Sequence, residues 1–366
     1  MPKKTLFISR AFPPITGGIE NQNAGILKAL KKVRDVDTII NTKGKKFLPL
    51  FLPYALIKLL IVAKKYDSVL IGDGVLAPLA ALSKRFTPGP KYVSIIHGLD
   101  ITYAHKDSLM GAIYRKCNIP ALQKLDKLIM VGNYTIDEAV KVGISRDLCQ
   151  FIPNGFDPGE FDQSFERKEL ERLIGKPLDG KKVILRIGRF VEHKGVPWFL
   201  SNVLPKLDAN IVFVAAGGTV GKTLGDSDAY SKSAHIIQEQ NLSDRAILLT
   251  DIPWRDIKLL YSTADLYVSP NIELPGSAEG FGINAIEAAA SRCTVLAADL
   301  QGLKDAIIEG QNGFLLPPEH TDAWVAKIQA TFSEHDAQAF GQRARDYTKQ
   351  NYNWERIATL YDEALS

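Results

Sequence analysis

The chain has 366 residues, 46% of them hydrophobic and 23% charged, with a formal net charge of +4. This length exceeds one ordinary core and predicts two domains of a soluble globular protein. The mild positive balance gives no reason to expect a nucleic-acid partner, and it suits anionic small molecules or an anionic membrane surface.

Cys117, Cys149 and Cys293 form no CxxC pair and read as buried thiols in a reducing, cytoplasmic compartment. The six histidines are scattered without metal-ligand spacing, so no metal is expected. The N-terminal apolar run ends at Arg10, too soon for a signal peptide, and reads as a first strand.

Apolar, often β-branched runs predict strands at 5–9, 36–40, 68–71, 92–96 and 127–131, separated by helical stretches at 20–32, 54–65, 76–85 and 107–123. Such alternation implies a parallel sheet covered by helices. A short strand at 149–153 closes this half. The breaker-rich turn Pro153-Asn154-Gly155-Phe156-Asp157-Pro158-Gly159 is the expected hinge. The pattern then restarts, with strands at 182–187, 210–215, 246–250, 266–268 and 294–298 and a last helix at 354–365.

One segment departs from the pattern. The residues from Phe47 to Ala63 (FLPLFLPYALIKLLIVA) are apolar except for Lys58 and are punctuated by Pro49 and Pro53. The prolines and the lysine argue against a membrane span. From Pro53 onward Leu56, Leu59, Leu60 and Ala63 fall at helical spacing and are expected to face the sheet. Ile57, Ile61, Phe47, Leu50 and Phe51 are left without a place, amid Lys43, Lys45, Lys46, Lys58, Lys64 and Lys65. Two readings stand: a core helix with a hydrophobic loop, or an interfacial patch for an anionic bilayer.

Several stretches have the residue types of a ligand site. After the first strand, Pro13-Pro14 stiffens a loop in which Gly17-Gly18 lets backbone amides approach a ligand just before a helix. An ordinary glycine turn is the plainer alternative. His97-Gly98-Leu99-Asp100 puts a histidine at a strand's carboxyl end, where open α/β sheets bind ligands. A structural histidine is the alternative. Gly72-Asp73-Gly74-Val75-Leu76-Ala77 matches the dinucleotide pattern GxGxxA but lacks the ribose-binding acid about 20 residues on. The run from Ala216 to Thr223 ends like a Walker motif, but its glycine spacing is wrong.

In the second half, Arg189 follows a strand and Lys194 precedes a helix, a planar fork and a compact cation suited to a diphosphate. Two solvated surface cations are the alternative. The stretch from Ala278 to Ala290 places Glu279 in a loop, begins a helix near Gly282 and sets Glu287 about one turn inside it. The amides of Phe281, Gly282 and Ile283 would point back toward an anion. Glu287 would serve a neutral hydroxyl. A phosphorylated sugar is the ligand this arrangement suggests.

Taken in order, Gly17-Gly18, His97-Gly98-Leu99-Asp100, Pro153-Asn154-Gly155-Phe156-Asp157, Gly188-Arg189 with Lys194-Gly195, Glu279-Gly280-Phe281-Gly282 with Glu287, and Gly310-Gln311-Asn312-Gly313 resemble the retaining glycosyltransferase family 4 and its E-x7-E signature. The resemblance implies an α/β fold of the GT-B type, two Rossmann-like parallel-sheet domains facing each other across a cleft. Residues 1–157 would form the acceptor side, 158–349 the nucleotide-sugar side, and 350–366 a helix packing back on the first domain.

It further implies that Arg189, Lys194 and the amides of Phe281 and Gly282 hold a donor diphosphate. Glu287 would bind the ribose, Glu279 and His97 would meet the transferred sugar, and Gly17-Gly18 would border diphosphate and acceptor. Asp100, Asn154, Gly280 and Ile283 complete the implied substrate-binding set. The implied reaction is metal-independent, retaining transfer from a UDP- or GDP-sugar to a glycan or lipid-linked acceptor in cell-envelope polysaccharide synthesis, with the cytoplasmic face of the membrane as its expected setting.

Two stretches depart from the family pattern, the second in a loop that in the family often lies near the donor sugar. Ala290-Ser291-Arg292-Cys293-Thr294-Val295 replaces the family's Gly-x-Pro-Val run, and Gln301-Gly302 replaces Gly-Gly. The rivals are a dinucleotide-dependent oxidoreductase using Gly72 to Ala77, and a non-catalytic subunit binding lipid or a partner through Phe47 to Ala63.

Overall fold

Runs of apolar residues without polar alternation form strands buried on both faces, which is the condition of a parallel sheet. The strand Ile211–Ala216 is buried at every position. The computed structural model of the protein describes residues 3–15, 17–105, 107–219, 228–333 and 337–366. The Walker-like run, from Val220 on, lies outside the described residues.

The first sheet contains β1 (Lys4–Ser9), β2 (Asp35–Ile40), β3 (Ser68–Ile71), β4 (Lys91–Ile96), β5 (Lys127–Met130) and β6 (Cys149–Phe151), in the order β2-β1-β3-β4-β5-β6. The second contains β7 (Lys182–Ile187), β8 (Ile211–Ala216), β9 (Ala246–Leu249), β10 (Leu266–Ser269), β11 (Thr294–Ala298) and β12 (Phe314–Leu316), in the order β12-β11-β10-β7-β8-β9. Every pairing is parallel. The strand order reverses between β1 and β3 in one sheet and between β7 and β10 in the other. The crevices outside these carboxyl ends are the ligand positions of open α/β sheets.

The chain forms two compact units. One comprises Met1–Phe156, Ala278–Phe281 and Tyr352–Ser366; the other comprises Asp157–Ser277 and Gly282–Asn351. The division of the sequence at 157/158 had no place for Ala278–Phe281 in the first unit.

In that first unit, the helix Gly18–Leu30 buries Ile26, Leu27, Ala29 and Leu30. It also buries two amides that fix its end. Asn23 Nδ2 donates to Ser9 Oγ at 3.0 Å and to the Ala11 carbonyl at 3.2 Å, and Gln22 Nε2 donates to the Gly155 carbonyl at 3.0 Å. The C-terminal helix Trp354–Leu365 is capped by Asn353, whose Oδ1 accepts from the Arg356 amide at 2.9 Å. Its Trp354 ring fills the space left by two glycines. A Cβ on Gly25 would stand 2.1 Å from the ring and one on Gly155 2.5 Å from it.

Several expectations are corrected. The apolar segment is helical from Leu48 to Val62, not from residue 54, with Pro49 in the first turn, where its missing N–H costs nothing, and Pro53 inside the helix. The buried stripe is Phe51, Ala55, Leu59 and Ala63, spaced by four; Leu56 and Leu60 are only half-buried. Phe51, without a place in the sequence pattern, therefore belongs to the core. The stretch expected as one helix over 107–123 is Leu109–Ile113, a wider π-turn at Tyr114–Asn118 and Ile119–Leu122. Cys293 is buried, but Cys149 is half-buried and Cys117 exposed. β12, within the glycine-rich tail, was not foreseen as a strand.

The Trp354 contact decides the sign of a simple substitution. Gly25→Ala should gain up to about 1 kcal/mol in helix propensity, but forcing a methyl group into a rigid indole costs about 1–3 kcal/mol. The expected outcome is a net destabilised protein with a lower urea midpoint. An unchanged or raised midpoint would show that the ring moves aside.

Candidate functional site

In the first unit the site is built on the exits of β1, β3 and β4. Gly17 precedes the helix Gly18–Leu30 in extended conformation, with the Glu20 carboxylate folded over it. No described atom lies within 4 Å of where a Cβ on Gly18 would stand, so the backbone there is open to a ligand. His97 leaves β4 and turns back. Its amide donates to Asp100 Oδ2 at 3.0 Å, and its Nε2 lies 3.0 Å from the Gly72 carbonyl. A carbonyl can only accept, so Nε2 carries the hydrogen of this contact, which in the neutral form of the ring leaves Nδ1 as the acceptor.

The signature loop lies against this histidine. A Cβ on Gly280 would stand 2.8 Å from the His97 carbonyl oxygen, and one on Gly98 3.7 Å from the Gly280 Cα. The structure thus brings together His97, Gly98, Asp100 and Gly280, with Glu279 next in the chain. Phe281 is buried and meets Tyr352 edge-on at 5.8 Å. Asn154 is also buried, in the loop whose Gly155 carbonyl holds Gln22.

The run Gly72 to Ala77 has a different task from dinucleotide binding. Asp73 is fully buried, accepts from Arg10 Nε at 2.9 Å and caps the next turn through the Val75 amide at 3.0 Å. Burial, with the neighbouring Asp100 acting in the same sense against Arg10, pushes the Asp73 carboxyl up to about 6. Burial, reinforced by Asp100, likewise pushes the Tyr114 phenol up to about 12. Gly72 and Asp73 support His97 and Arg10. The sequence signal for this pairing was only that both acids and the arginine follow strands.

In the second unit the exits of β7 and β10 supply the remaining residues. Gly188 has φ +145°, and a Cβ on Gly217 would stand 2.1 Å from the Gly188 carbonyl, so the loops after β7 and β8 run backbone to backbone. This turn exposes Arg189. Lys194 ends the short turn Glu192–Lys194, and Gly195 follows at φ +72°. A Cβ on Gly195 would stand 1.7 Å from the Pro270 carbonyl, so only glycine lets the lysine turn sit on the β10 exit.

Gly282, at φ +94°, precedes the helix Ile283–Ala290, which buries Ala285, Ile286, Ala288, Ala289 and Ala290. Small side chains let this helix lie close to β10 and β11. Glu287 is half-buried on it; its Oε2 accepts from the Tyr261 hydroxyl at 2.9 Å and from Asn284 Nδ2 at 3.3 Å. Burial outweighs both donors and pushes this carboxyl up to about 7.

Two features here were not foreseen from sequence. Arg186 is buried near the end of β7, bonded to the Ile187 carbonyl and to the Tyr267 hydroxyl, with its guanidinium against Gly188. An arginine inside the apolar strand KVILRI was the available signal. Tyr261 left none. Gln301, in place of the family's glycine, keeps positive φ at +50°, and its amide reaches the Ser277 carbonyl at 3.5 Å. Ser277 Oγ in turn lies 2.8 Å from His193 Nδ1. Among the described residues no group of three His, Cys, Asp or Glu side chains is placed to hold a metal.

Two six-stranded parallel sheets, each with cations, carboxylates and close-approach glycines at its reversal point, define a GT-B glycosyltransferase. Residues 168–352, 185 of the 366, match the family model for glycosyl transferases group 1, and residues 16–160 match that for glycosyltransferase family 4. The chain belongs to the group 1 glycosyltransferases, in family 4.

An uncharacterized glycosyltransferase of Methanocaldococcus jannaschii is 26% identical over 310 residues, 80% of this chain and 73% of the relative. The D-inositol 3-phosphate glycosyltransferase of Corynebacterium glutamicum is 27% identical over 58% of this chain and 49% of its own. The lipopolysaccharide core mannosyltransferase LpcC of Rhizobium leguminosarum is 28% identical over 51% and 53%. The chain spans about half the length of the latter two. Among solved structures, Anabaena HepE in complex with UDP has a TM-score of 0.76 at 18% identity, covering 99% of both chains. The catalytic domain of Arabidopsis thaliana starch synthase IV bound to ADP and acarbose has a TM-score of 0.77 at 14% identity, covering 100% of this chain and 99% of that one.

The raised Glu287 carboxyl makes a stability prediction. The folded chain holds its proton up to about 7, while an unfolded glutamate releases it near its ordinary value of 4.5. The folded state therefore binds more protons in that window, and stability falls as pH rises from about 4.5 to 7. Glu287→Gln should lift the urea-unfolding free energy at pH 8 by about 1–3 kcal/mol and leave it nearly unchanged at pH 4.5. A gain of equal size at both pH values would contradict this origin.

Proposed function

We propose that the protein transfers a sugar, with retention of anomeric configuration and without a bound metal, from a UDP- or GDP-sugar to a glycan or lipid-linked acceptor. The observation that supports the reading is the close approach of Gly280, the residue after the first carboxylate of the signature, to the carbonyl of the strand-end His97. Solved relatives in complex with UDP and with UDP-glucose, both of Anabaena HepE, support a nucleotide-sugar donor.

Roles divide by unit. In the second, Arg189 and Lys194 take the diphosphate and neutralise the charge that builds on it as it departs, the task a metal performs elsewhere. The first amides of the helix Ile283–Ala290 assist from its N-terminus. Glu287, already oriented by Tyr261 and Asn284, accepts from the ribose hydroxyls. In the first unit, His97 Nδ1 and Glu279 accept hydroxyls of the transferred sugar, and the open backbone at Gly18 borders diphosphate and acceptor.

In the same-face step, the bond from the anomeric carbon to the diphosphate oxygen breaks, and the acceptor oxygen bonds to that carbon from the side just vacated. The acceptor's proton passes to the leaving phosphate oxygen. The arrangement needs no protein nucleophile.

Incubation with UDP- and GDP-sugars and a panel of acceptors tests the reading, with the product's anomeric configuration read by NMR. Absence of hydrolysis and transfer, together with no shift in melting temperature with either nucleotide, sinks it. Lys194→Ala should weaken nucleotide-diphosphate binding by about 1.5–3 kcal/mol, the worth of a charge-assisted contact. Glu279→Ala should slow transfer while leaving nucleotide affinity nearly intact. Equal affinity losses in the two variants would contradict the division of roles.

A further inference from the structure

The helix Leu48–Val62 is apolar on both sides. At 100° per residue, the buried residues Phe51, Ala55, Leu59 and Ala63 occupy one side, centred about 160° from Leu50. On the opposite side Leu50, Tyr54, Ile57 and Ile61 fall within an arc of about 60°, and they are 73%, 52%, 59% and 70% exposed. The run Lys45–Lys65 is long and apolar enough to cross a bilayer by length and composition. Its buried stripe instead holds it lengthwise on the sheet.

Charge flanks the exposed stripe. Lys43, Lys45, Lys46, Lys58, Lys64 and Lys65 are all exposed, and no aspartate or glutamate occurs anywhere in residues 38–66. Lys43 lies over the Phe47 ring at 5.1 Å, and Lys58 reaches the Tyr54 hydroxyl at 3.2 Å. The neighbouring helix Ala77–Phe86 packs against this one and exposes Leu82 and Phe86. It packs in turn on Tyr114–Asn118, beyond which Leu109 and Met110 are exposed at 79% and 52%. These helices lie on one face of the sheet, since right-handed crossovers moving in one direction from β2 to β5 put them there.

We propose that this face of the first unit docks flat on an anionic lipid bilayer, with the helix Leu48–Val62 lying in the headgroup region rather than spanning it. An apolar stripe on a helix bordered by lysines is the form of an interfacial helix. An acidic protein partner would match the lysines but not a stripe of aliphatic side chains exposed across three helices. The helix Leu48–Val62 and the segment from Leu109 are both reached from the carboxyl ends of their strands, β2 and β4, the end that carries His97 and the Gly17-Gly18 loop. Docking therefore brings the bilayer to the acceptor end of the first unit, a consequence that rests on the transferase reading and favours a lipid-linked acceptor.

Co-sedimentation of the full chain with vesicles tests the proposal, using phosphatidylcholine alone and phosphatidylcholine mixed with phosphatidylglycerol. Binding is expected to the mixed vesicles only and should weaken with added salt. The double variant Ile57→Ser, Ile61→Ser should lose at least about tenfold in partition. Lys45→Gln and Lys46→Gln should each lose about fivefold. Unchanged melting temperatures in these variants show that the fold is kept.

Absence of binding to anionic vesicles, or equal binding by the serine variant, overturns the proposal. So does a dimer seen by light scattering that the serine variant dissolves, because a second copy would then cover the face. Hydrolysis of a nucleotide sugar in solution, unaltered by the serine substitutions, separates failure of docking from failure of the transferase reading.

Discussion

The signature loop depends on how closely one backbone passes another. At Gly280 any side chain would meet the His97 carbonyl oxygen, and two residues later Gly282 must adopt φ +94°, with a Cβ there only 2.7 Å from Leu303. The first glycine serves proximity and the second both conformation and space. Between them Phe281 is locked into the first unit by Tyr352. After them, the chain enters the helix Ile283–Ala290 of the second unit, which packs on β10 and β11. Glu279 thus sits next in the chain to the glycine that passes the His97 carbonyl, while Glu287 is held in the second unit by Tyr261 and Asn284.

Buried ionisable groups cluster toward the same strand ends. Asp73 is buried with one oxygen unpartnered, Arg186 is buried with Nε and one terminal nitrogen unpartnered, and Glu287 is pushed toward neutrality. Each arrangement costs stability that an apolar residue would not. That ionisable groups are buried at the reversal points of the two sheets, while the strands elsewhere bury no charged side chain and no polar groups beyond small hydroxyls and tyrosines, is the pattern of sites organised for binding charge. Gln301 fits the same pattern. A non-glycine residue at positive φ costs about 1 kcal/mol, and its amide gains a contact with the Ser277 carbonyl in the loop leading into the signature.

Much of this was legible because parallel strands announce themselves as short, uninterrupted β-branched runs. Eleven of the twelve strands fall where such runs stand, and β12 escaped because Phe-Leu-Leu is three residues long behind a glycine turn. The strand-end residues were legible for a related reason: glycine, histidine and charge directly after an apolar run are conspicuous. What periodicity could not supply was long-range pairing. Nothing near Glu287 in sequence points to Tyr261, and nothing near His97 points to the Gly72 carbonyl that fixes its tautomer. Asp73 looked like part of a nucleotide fingerprint, whereas its partner is Arg10, 63 residues earlier.

The helix Leu48–Val62 shows the same limit from the other side. Where nearly every residue is apolar, spacing carries no information about which face is buried, and a stripe of Leu56, Leu59, Leu60 and Ala63 fits as well as the observed one. The choice is made by size. Ala55 and Ala63 let the helix approach the sheet, Leu59 fills the space between them, and Phe51 closes the end, whereas the branched Ile57 and Ile61 would hold it away. Pro53 is exposed within the helix, where it donates no bond to the carbonyl of Pro49 one turn earlier and leaves that carbonyl open on the solvent side. A helix this apolar on its outer face gains nothing from water there, and lysines at both of its ends set the charge of the surface that can cover it.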